Sequence, residues 1–270
     1  YRNRDHDFKY EVSANLSTLR NRVTSLGFGT DSYISGSYIT KVGEEIGQFY
    51  GWVYEGIART QEVLDNHATQ EGAQIGDCLY KDVNNDGKVD SEDQVVLGSG
   101  MPKINFGLNA RFEYKRFDLS IATFGALNYH VSDDIYNSLN SCYGWGNKEV
   151  GMLDANRFSE DGSTYLSNVP RTYVTNSASL GWNDLFSSRK IQNAAYWKIA
   201  NVELGYNFPD KWFDKYVSDV RFYISAQNLH TFTGYHGYNV DYAGGTFTPG
   251  YNFCSYPTAR TFMCGVHFTF

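Results

Sequence analysis

Apolar and polar residues alternate with a period of two in several separate stretches of this 270-residue chain. In Arg260–Phe270, Phe262, Cys264, Val266, Phe268 and Phe270 share one face of an extended strand, while Thr261, Met263, Gly265, His267 and Thr269 share the other. An exposed strand edge this apolar invites aggregation unless it is paired. The strand by itself fits two folds equally: the end of a soluble β-sandwich, or a barrel wall in a membrane with one greasy and one wet face.

The pattern recurs. Phe8, Tyr10, Val12, Ala14 and Leu16 alternate with Lys9, Glu11, Ser13, Asn15 and Ser17. Ile104, Phe106, Leu108, Ala110, Phe112 and Tyr114 alternate with Asn105, Gly107, Asn109, Arg111 and Glu113. Lys115-Arg116 then leads into 117–124, the return strand of a hairpin. Ala200, Val202, Leu204, Tyr206 and Phe208 oppose Asn201, Glu203 and Asn207, and Val220, Phe222, Ile224 and Ala226 oppose Arg221, Tyr223, Ser225 and Gln227. With 48–57 as a weaker member, the periodicity predicts seven strands: 8–19, 48–57, 104–114, 117–127, 196–208, 219–229 and 259–270.

Several exceed the usual soluble length of about five or six residues and match the roughly nine to eleven that a tilted strand needs to cross a bilayer. Arg111, Glu113, Glu203 and Arg221 fall on wet faces suited to a water-filled lumen, and the dry faces carry almost no charge, with Lys198 near a strand end. Connections alternate in length: Lys115-Arg116 and 209–218 are short, whereas 58–103, 130–195 and 230–258 are long and rich in Gly, Asn, Asp, Ser and Tyr. Outer-membrane barrels have that asymmetry, short turns on one side and long loops on the other. The segment 20–46 breaks it, and an extra ribbon or a periplasmic excursion both fit. Seven strands without a leader predict the tail of a larger barrel, because bacterial single-chain barrels have even strand numbers.

Composition adjusts this picture. A net charge of -7 argues against a nucleic-acid partner, and the 17% aromatic content suits membrane girdles or a sugar-binding surface. Mean hydropathy is -0.46 and no stretch approaches the apolar length of a membrane helix, which leaves a barrel open because half its wall and most of its loops are polar. The chain starts at Tyr1 without an initiator Met or a signal peptide, as a mature chain or a piece of a longer one would. Cys78, Cys142, Cys254 and Cys264 lack any metal-binding spacing. Cys264 is expected on the apolar face, and whether Cys142 pairs with Cys254 stays open.

The sharpest local motif is Asp82-Val-Asn-Asn-Asp86-Gly-Lys-Val-Asp90-Ser-Glu-Asp93. Oxygen donors at Asp82, Asn84, Asp86, Asp90 and Asp93 stand at loop positions one, three, five, nine and twelve. Gly87 permits the sharp turn at position six and the Lys88 carbonyl supplies position seven, the spacing of a calcium loop. Asp93 replaces the usual Glu, and the long flanking helices of an EF-hand are missing, so the loop looks dockerin-like. A solvated Asx-rich turn is the alternative. A structural calcium, not a catalytic one, is the expectation.

No Walker loop, GxSxG, HExxH or dinucleotide fingerprint is present. The six His are scattered, and Glu203 reads as a solvated or Arg-paired wall residue, so no enzyme is expected. Two other classes stand beside a transporter: a secreted carbohydrate-binding β-sandwich with structural calcium, and a surface glycosidase. In the first, Tyr143-Gly-Trp145 and Tyr235-His-Gly-Tyr238 would be sugar platforms.

Five ordered motifs carry a resemblance over most of 40–270. They are Gly76-Asp77-Cys-Leu-Tyr80-Lys81-Asp82 with the loop that follows, Lys115-Arg-Phe117-Asp118-Leu119-Ser120, Tyr196 to Pro209, Ser225-Ala-Gln227-Asn228-Leu229 with Thr231 to Tyr235, and Tyr256-Pro257-Thr-Ala-Arg260-Thr261-Phe. The chain resembles SusC-like TonB-dependent transporters of Bacteroidetes. The resemblance implies an all-β fold in which 1–270 is the C-terminal portion of a 22-stranded transmembrane β-barrel with long extracellular loops, the plug and earlier strands being absent. It implies the cell outer membrane as location and import of oligosaccharides or peptides. It also implies a SusD-like surface lipoprotein as lid and energy from TonB through the missing N-terminal region. Phe270 would belong to the signal read by the barrel-assembly machinery.

Overall fold

Tyr114 and Phe117 pair directly across Lys115-Arg116, and Lys115 takes a left-handed conformation (φ 55°) to close that reversal. The hairpin sits in the middle of one large antiparallel sheet in the computed structural model, which describes residues 2–3, 7–27, 29–142, 146–172, 181–209, 217–241 and 244–270. Its long strands are β1 (Phe8–Thr18), β2 (Ile104–Tyr114), β3 (Phe117–Leu127), β4 (Tyr196–Asn207), β5 (Asp219–Thr233) and β6 (Thr261–Thr269), each hydrogen-bonded to the next in chain order. The pair Arg2–Asn3 extends the far edge by bonding to β1 at Glu11 and Tyr10. The fold is therefore an open up-and-down sheet, and the described residues form no closed barrel.

Two expectations are corrected. The stretch 48–57 is not a wall strand. It breaks into Gln48–Gly51 and Tyr54–Ile57, which belong to two smaller sheets, while β1 pairs directly with β2. Its alternating aromatics fill a loop core instead: Phe49 is fully buried, its ring 5.0 Å from Tyr38 and 5.9 Å from Phe186. With that segment removed, 19–103 becomes a single long excursion, and 20–46 holds its ribbon, Ser32–Ser35 paired with Tyr38–Lys41.

The second correction concerns Lys198. A bulge shifts the β3–β4 register between Ala122/Thr123 and the β4–β5 register between Ile199/Asn201. On β4, parity flips at Ala200, which puts Lys198 on the wet face and Trp197 and Ile199 on the dry one. Bulges of this kind re-aim side chains near sheet ends. The moved ammonium is buried, ion-paired to Asp241 and 5.8 Å from the Phe124 ring centre. A charge left on the dry face would cost about 2–4 kcal/mol at the bilayer midplane, falling to about 0–1 kcal/mol near the interface.

The three long connections (19–103, 128–195 and 234–260) leave the same end of the sheet, and 115–116 and 208–218 lie at the other. Within 208–218, residues 210–216 fall outside the described residues. No helix among the described residues is long and apolar enough to cross a membrane, which says nothing of strands.

Candidate functional site

The wall is built in register rows. Val12, Ala110, Ile121, Val202, Ala226 and Phe262 form the middle row of the dry face. Toward the short turns follow Tyr10, Phe112, Leu119, Leu204, Ile224 and Cys264, then Phe8, Tyr114, Phe117, Tyr206, Phe222 and Val266. Toward the loops follow Ala14, Leu108, Thr123, Ile199 and His230, then Leu16, Phe106, Gly125, Trp197 and Phe232. The two polar members are accommodated: the Thr123 hydroxyl donates to the Leu108 carbonyl at 3.0 Å, and His230 lies edge-on to Phe232. Aromatics concentrate in the two outermost rows, where Phe117 meets Tyr206 (4.8 Å) and Trp197 stacks on Phe232 (5.3 Å). Among the described residues no second sheet covers the face: Ile224 is 47% exposed, and Leu108, Leu204, Phe222, Val266 and Phe268 are also open. A β-sandwich would bury these side chains between sheets about 10 Å apart.

The wet face carries Lys9, Glu113, Asp118, Gly205, Tyr223 and Gly265 in one row, and Glu11, Arg111, Ser120, Glu203, Ser225 and Met263 in the next. Arg221 reaches back along this face to donate to Asp118 at 2.7 Å and to Glu203 at 2.8 Å. Gly205 makes the approach possible, since a Cβ there would stand 2.2 Å from an Asp118 oxygen. Glu203 is thus an Arg-paired wall residue.

The loops form a platform joined by buried polar hubs. Asp77 accepts from the Arg171 guanidinium (3.0 Å for one nitrogen) and from the Asn183 amide at 2.7 Å, and Asn183 in turn accepts from the Cys78 N–H at 2.7 Å. The first and second excursions are held together there and again where Arg59 donates to Tyr165, Ser167 and Asn168. Asp133 accepts from the Tyr235 hydroxyl and the Asn252 amide, which fastens the third excursion to the second. Burial, reinforced by Asp133, pushes the Tyr235 hydroxyl above its ordinary range, so it stays a donor. Sequence pattern gave no hint of these hubs, because their members lie up to 119 positions apart. Tyr235 is a buried anchor rather than an open sugar platform, and Tyr143 to Trp145 lie outside the described residues.

The loop 82–93 is curled by its own amides. Asp82 accepts from Asn85 N–H (2.7 Å) and Gly87 N–H (2.8 Å), Asn84 from Asp86 N–H (2.9 Å), and Asp86 from Lys88 N–H (3.0 Å). Asp93, fully buried, accepts from Val83, Asn84 and Asp90. The Lys88 ammonium lies 2.9 Å from Asp90 and 3.6 Å from Asp86. The Glu92 amide, with that ammonium, holds the Asp90 carboxyl below the usual carboxylate range. Among the described residues no group of three or more His, Cys, Asp or Glu is arranged to hold a metal ion. A positive charge is nevertheless drawn between two of the predicted ligands. All four cysteines are free thiols.

A long-stranded open sheet, apolar and exposed on one face, charged and paired on the other, with all long loops at one end, defines a wall segment of an outer-membrane-type β-barrel. No protein-family model matches the chain. It is 28% identical to TonB-dependent receptor P3 of Formosa agariphila over 98% of its own length and 27% of the relative's, and 28% identical to receptor P26 of the same organism. It is 24% identical to the TonB-dependent receptor SusC of Bacteroides thetaiotaomicron over 98% of the chain and 25% of that protein. The RagAB peptide transporter superposes on the whole chain with a TM-score of 0.78 at 20% identity, over 28% of its own length. The chain fits the C-terminal portion of a SusC-like TonB-dependent receptor, and it spans about a quarter of the length of the curated relatives it matches. None of these relatives is an enzyme.

Proposed function

We propose that this chain is the wall-and-loop segment, 1–270, of an outer-membrane TonB-dependent importer of oligosaccharides or peptides. The observation that carries the reading is the exposed dry face, ordered in five register rows of which the outer two are rich in aromatics. Relatives named TonB-dependent receptors and a neighbour described as a peptide transporter support it. In this reading further strands close the barrel, a plug and TonB supply the driven step, and a SusD-like lipoprotein covers the loops. Phe270, 88% exposed after β6, is the assembly signal. The test is outer-membrane fractionation of the protein containing this chain, followed by heat-modifiable gel mobility. Recovery as a soluble monomer without detergent would sink the proposal.

We also propose that 82–93 seats a divalent cation, calcium first, with Asp82, Asn84, Asp86, the Lys88 carbonyl, Asp90 and Asp93 as donors. The ammonium drawn between Asp86 and Asp90 favours this, because a field that attracts Lys88 attracts a metal ion. Its role is structural. Terbium luminescence sensitised by nearby aromatics reads binding directly, and competition by calcium that is lost in Asp86→Asn is expected. Luminescence unchanged by Asp86→Asn would reduce the loop to a turn.

A further inference from the structure

Beside the curled loop lies an open groove of about 590 Å³, walled by Trp52, Trp182 and Leu185 and rimmed by Glu71, Asp90 and Ser91. Both tryptophans rest against the buried cluster of Cys78, Tyr80 and Val89, so each ring is held from behind. Their edges are pinned as well. The Trp52 indole N–H donates to the Asp90 carbonyl at 2.9 Å, and the Trp182 N–H to the Glu71 carbonyl at 2.8 Å. The only fixed N–H donors of the two indoles are therefore consumed inside the protein.

The polar side chains that line the groove are those of Glu71, Asp90 and Ser91. The Asp90 oxygens already accept from the Glu92 N–H and the Lys88 ammonium, which leaves the Glu71 carboxylate as the acceptor and the Ser91 hydroxyl as both donor and acceptor. Among the described residues, no Lys, Arg, Asn or Gln lines the groove. A neutral sugar presents hydroxyls that both donate and accept, and among the lining side chains only Ser91, besides the two indoles already engaged, carries a donor to answer it. An anionic ligand meets two carboxylates. A planar or tetrahedral cation meets an acceptor on the rim and aromatic rings in the wall, and a cation over an indole face is attracted by the ring quadrupole. The chain already seats one ammonium, that of Lys88, against Asp90 at the edge of this groove.

We infer that the groove between Trp52 and Trp182 binds the basic side chain of a peptide, a guanidinium or ammonium group held by Glu71 and the indole faces. The inference rests on the import reading in taking peptides to pass over these loops. It adds a preference for basic sequences. Asp90 links the groove to the neighbouring loop, because its carbonyl fixes Trp52 and its side chain is a proposed cation donor.

The experiment titrates N-acetyl-arginine amide into the intact detergent-solubilised protein by calorimetry, beside N-acetyl-citrulline amide, which is near-isosteric and neutral, and maltohexaose. Arginine amide is expected to bind at least tenfold more tightly than citrulline amide, to weaken with added salt, and to lose at least tenfold in Glu71→Gln. Glu71 is exposed and only its backbone carbonyl holds Trp182, so this variant keeps the fold. Equal binding of the arginine and citrulline probes, indifference to Glu71→Gln, or binding of maltohexaose alone would overturn the inference. So would no binding to protein that runs as a folded barrel on a heat-modifiable gel. That gel separates failure of the groove from failure of the barrel reading.

Discussion

Arginine placed on the dry face should report its depth in the membrane. The middle row contains Val202, Ile224 stands two residues along β5 from that row, and Phe222 stands four away. At about 3.4 Å per residue and a tilt of about 40°, Phe222 lies roughly 10 Å from the middle plane. The same arithmetic puts the outer aromatic rows, eight positions apart on β2 from Phe106 to Tyr114, about 21 Å apart across the membrane, inside the roughly 25 Å apolar band of such barrels. Val202→Arg is therefore expected to cost about 2–4 kcal/mol and Phe222→Arg about 0–1 kcal/mol from charge burial, with Ile224→Arg between them. A cost of that upper size changes the unfolding equilibrium by roughly 30- to 900-fold. Gln227→Arg, on the wet face one position from the middle row, serves as the control and should cost little. The assay is urea unfolding of the intact protein in phospholipid vesicles. A flat response across the three dry sites, or a loss at Gln227 as large as at Val202, would refute the belt.

Arg221→Met leaves Asp118 and Glu203 facing each other on the wet wall and should cost about 1.5–3 kcal/mol, the worth of hydrogen bonds to charged groups; the same unfolding assay checks it, and Asp118→Asn in the Arg221→Met background should recover part of the loss. At Gly100 a Cβ would meet the Pro249 carbonyl oxygen at 2.0 Å, so Gly100→Ala should part the first and third excursions, with faster proteolysis of 234–260 as the readout. Burial pushes the Cys78 thiol up to about 11 and the Cys142 thiol up to about 12. Fewer than about one in a thousand of either is a thiolate at pH 8, so maleimide at that pH should label exposed Cys254 and spare both, and their labelling should begin only as pH rises toward those values.

Most of the wall was legible because a strand's side-chain period cannot drift. Once Phe106, Leu108 and Ala110 share a face, so must Phe112 and Tyr114, and the wet charges Arg111, Glu113, Glu203 and Arg221 followed from the same parity. Two events broke the parity argument for local reasons. The bulge at Ala200 inserts one residue, and nothing in Trp197-Lys-Ile-Ala-Asn-Val announces it. The aromatics of 48–57 alternate as a wall strand would, yet Gly51 admits the Phe186 carbonyl to 2.1 Å of where its Cβ would stand, and the backbone turns away into the loop core. The hubs at Asp77 and Asp133 and the Trp52–Trp182 groove were illegible because they join excursions distant in sequence. The loop 82–93 was readable as a curl, since each Asx side chain caps an amide within a few residues.

The sheet edges carry the last step. Among the described residues β6 pairs with β5, and β1 pairs with β2 and, at Tyr10 and Glu11, with Arg2–Asn3. From Ser13 to Thr18 on one edge, and along the outer edge of β6, no further strand is paired among the described residues. In water such an edge is tolerable. Next to a dry face that only hydrocarbon satisfies, each unmet group costs several kcal/mol. The dry face and the open edges are therefore incompatible unless other strands join them. The six long strands among the described residues also fall short of the eight of the smallest barrels. The same rows that argue for a membrane thus argue for a larger barrel, and they place its joins at β1 and β6 without reference to any relative.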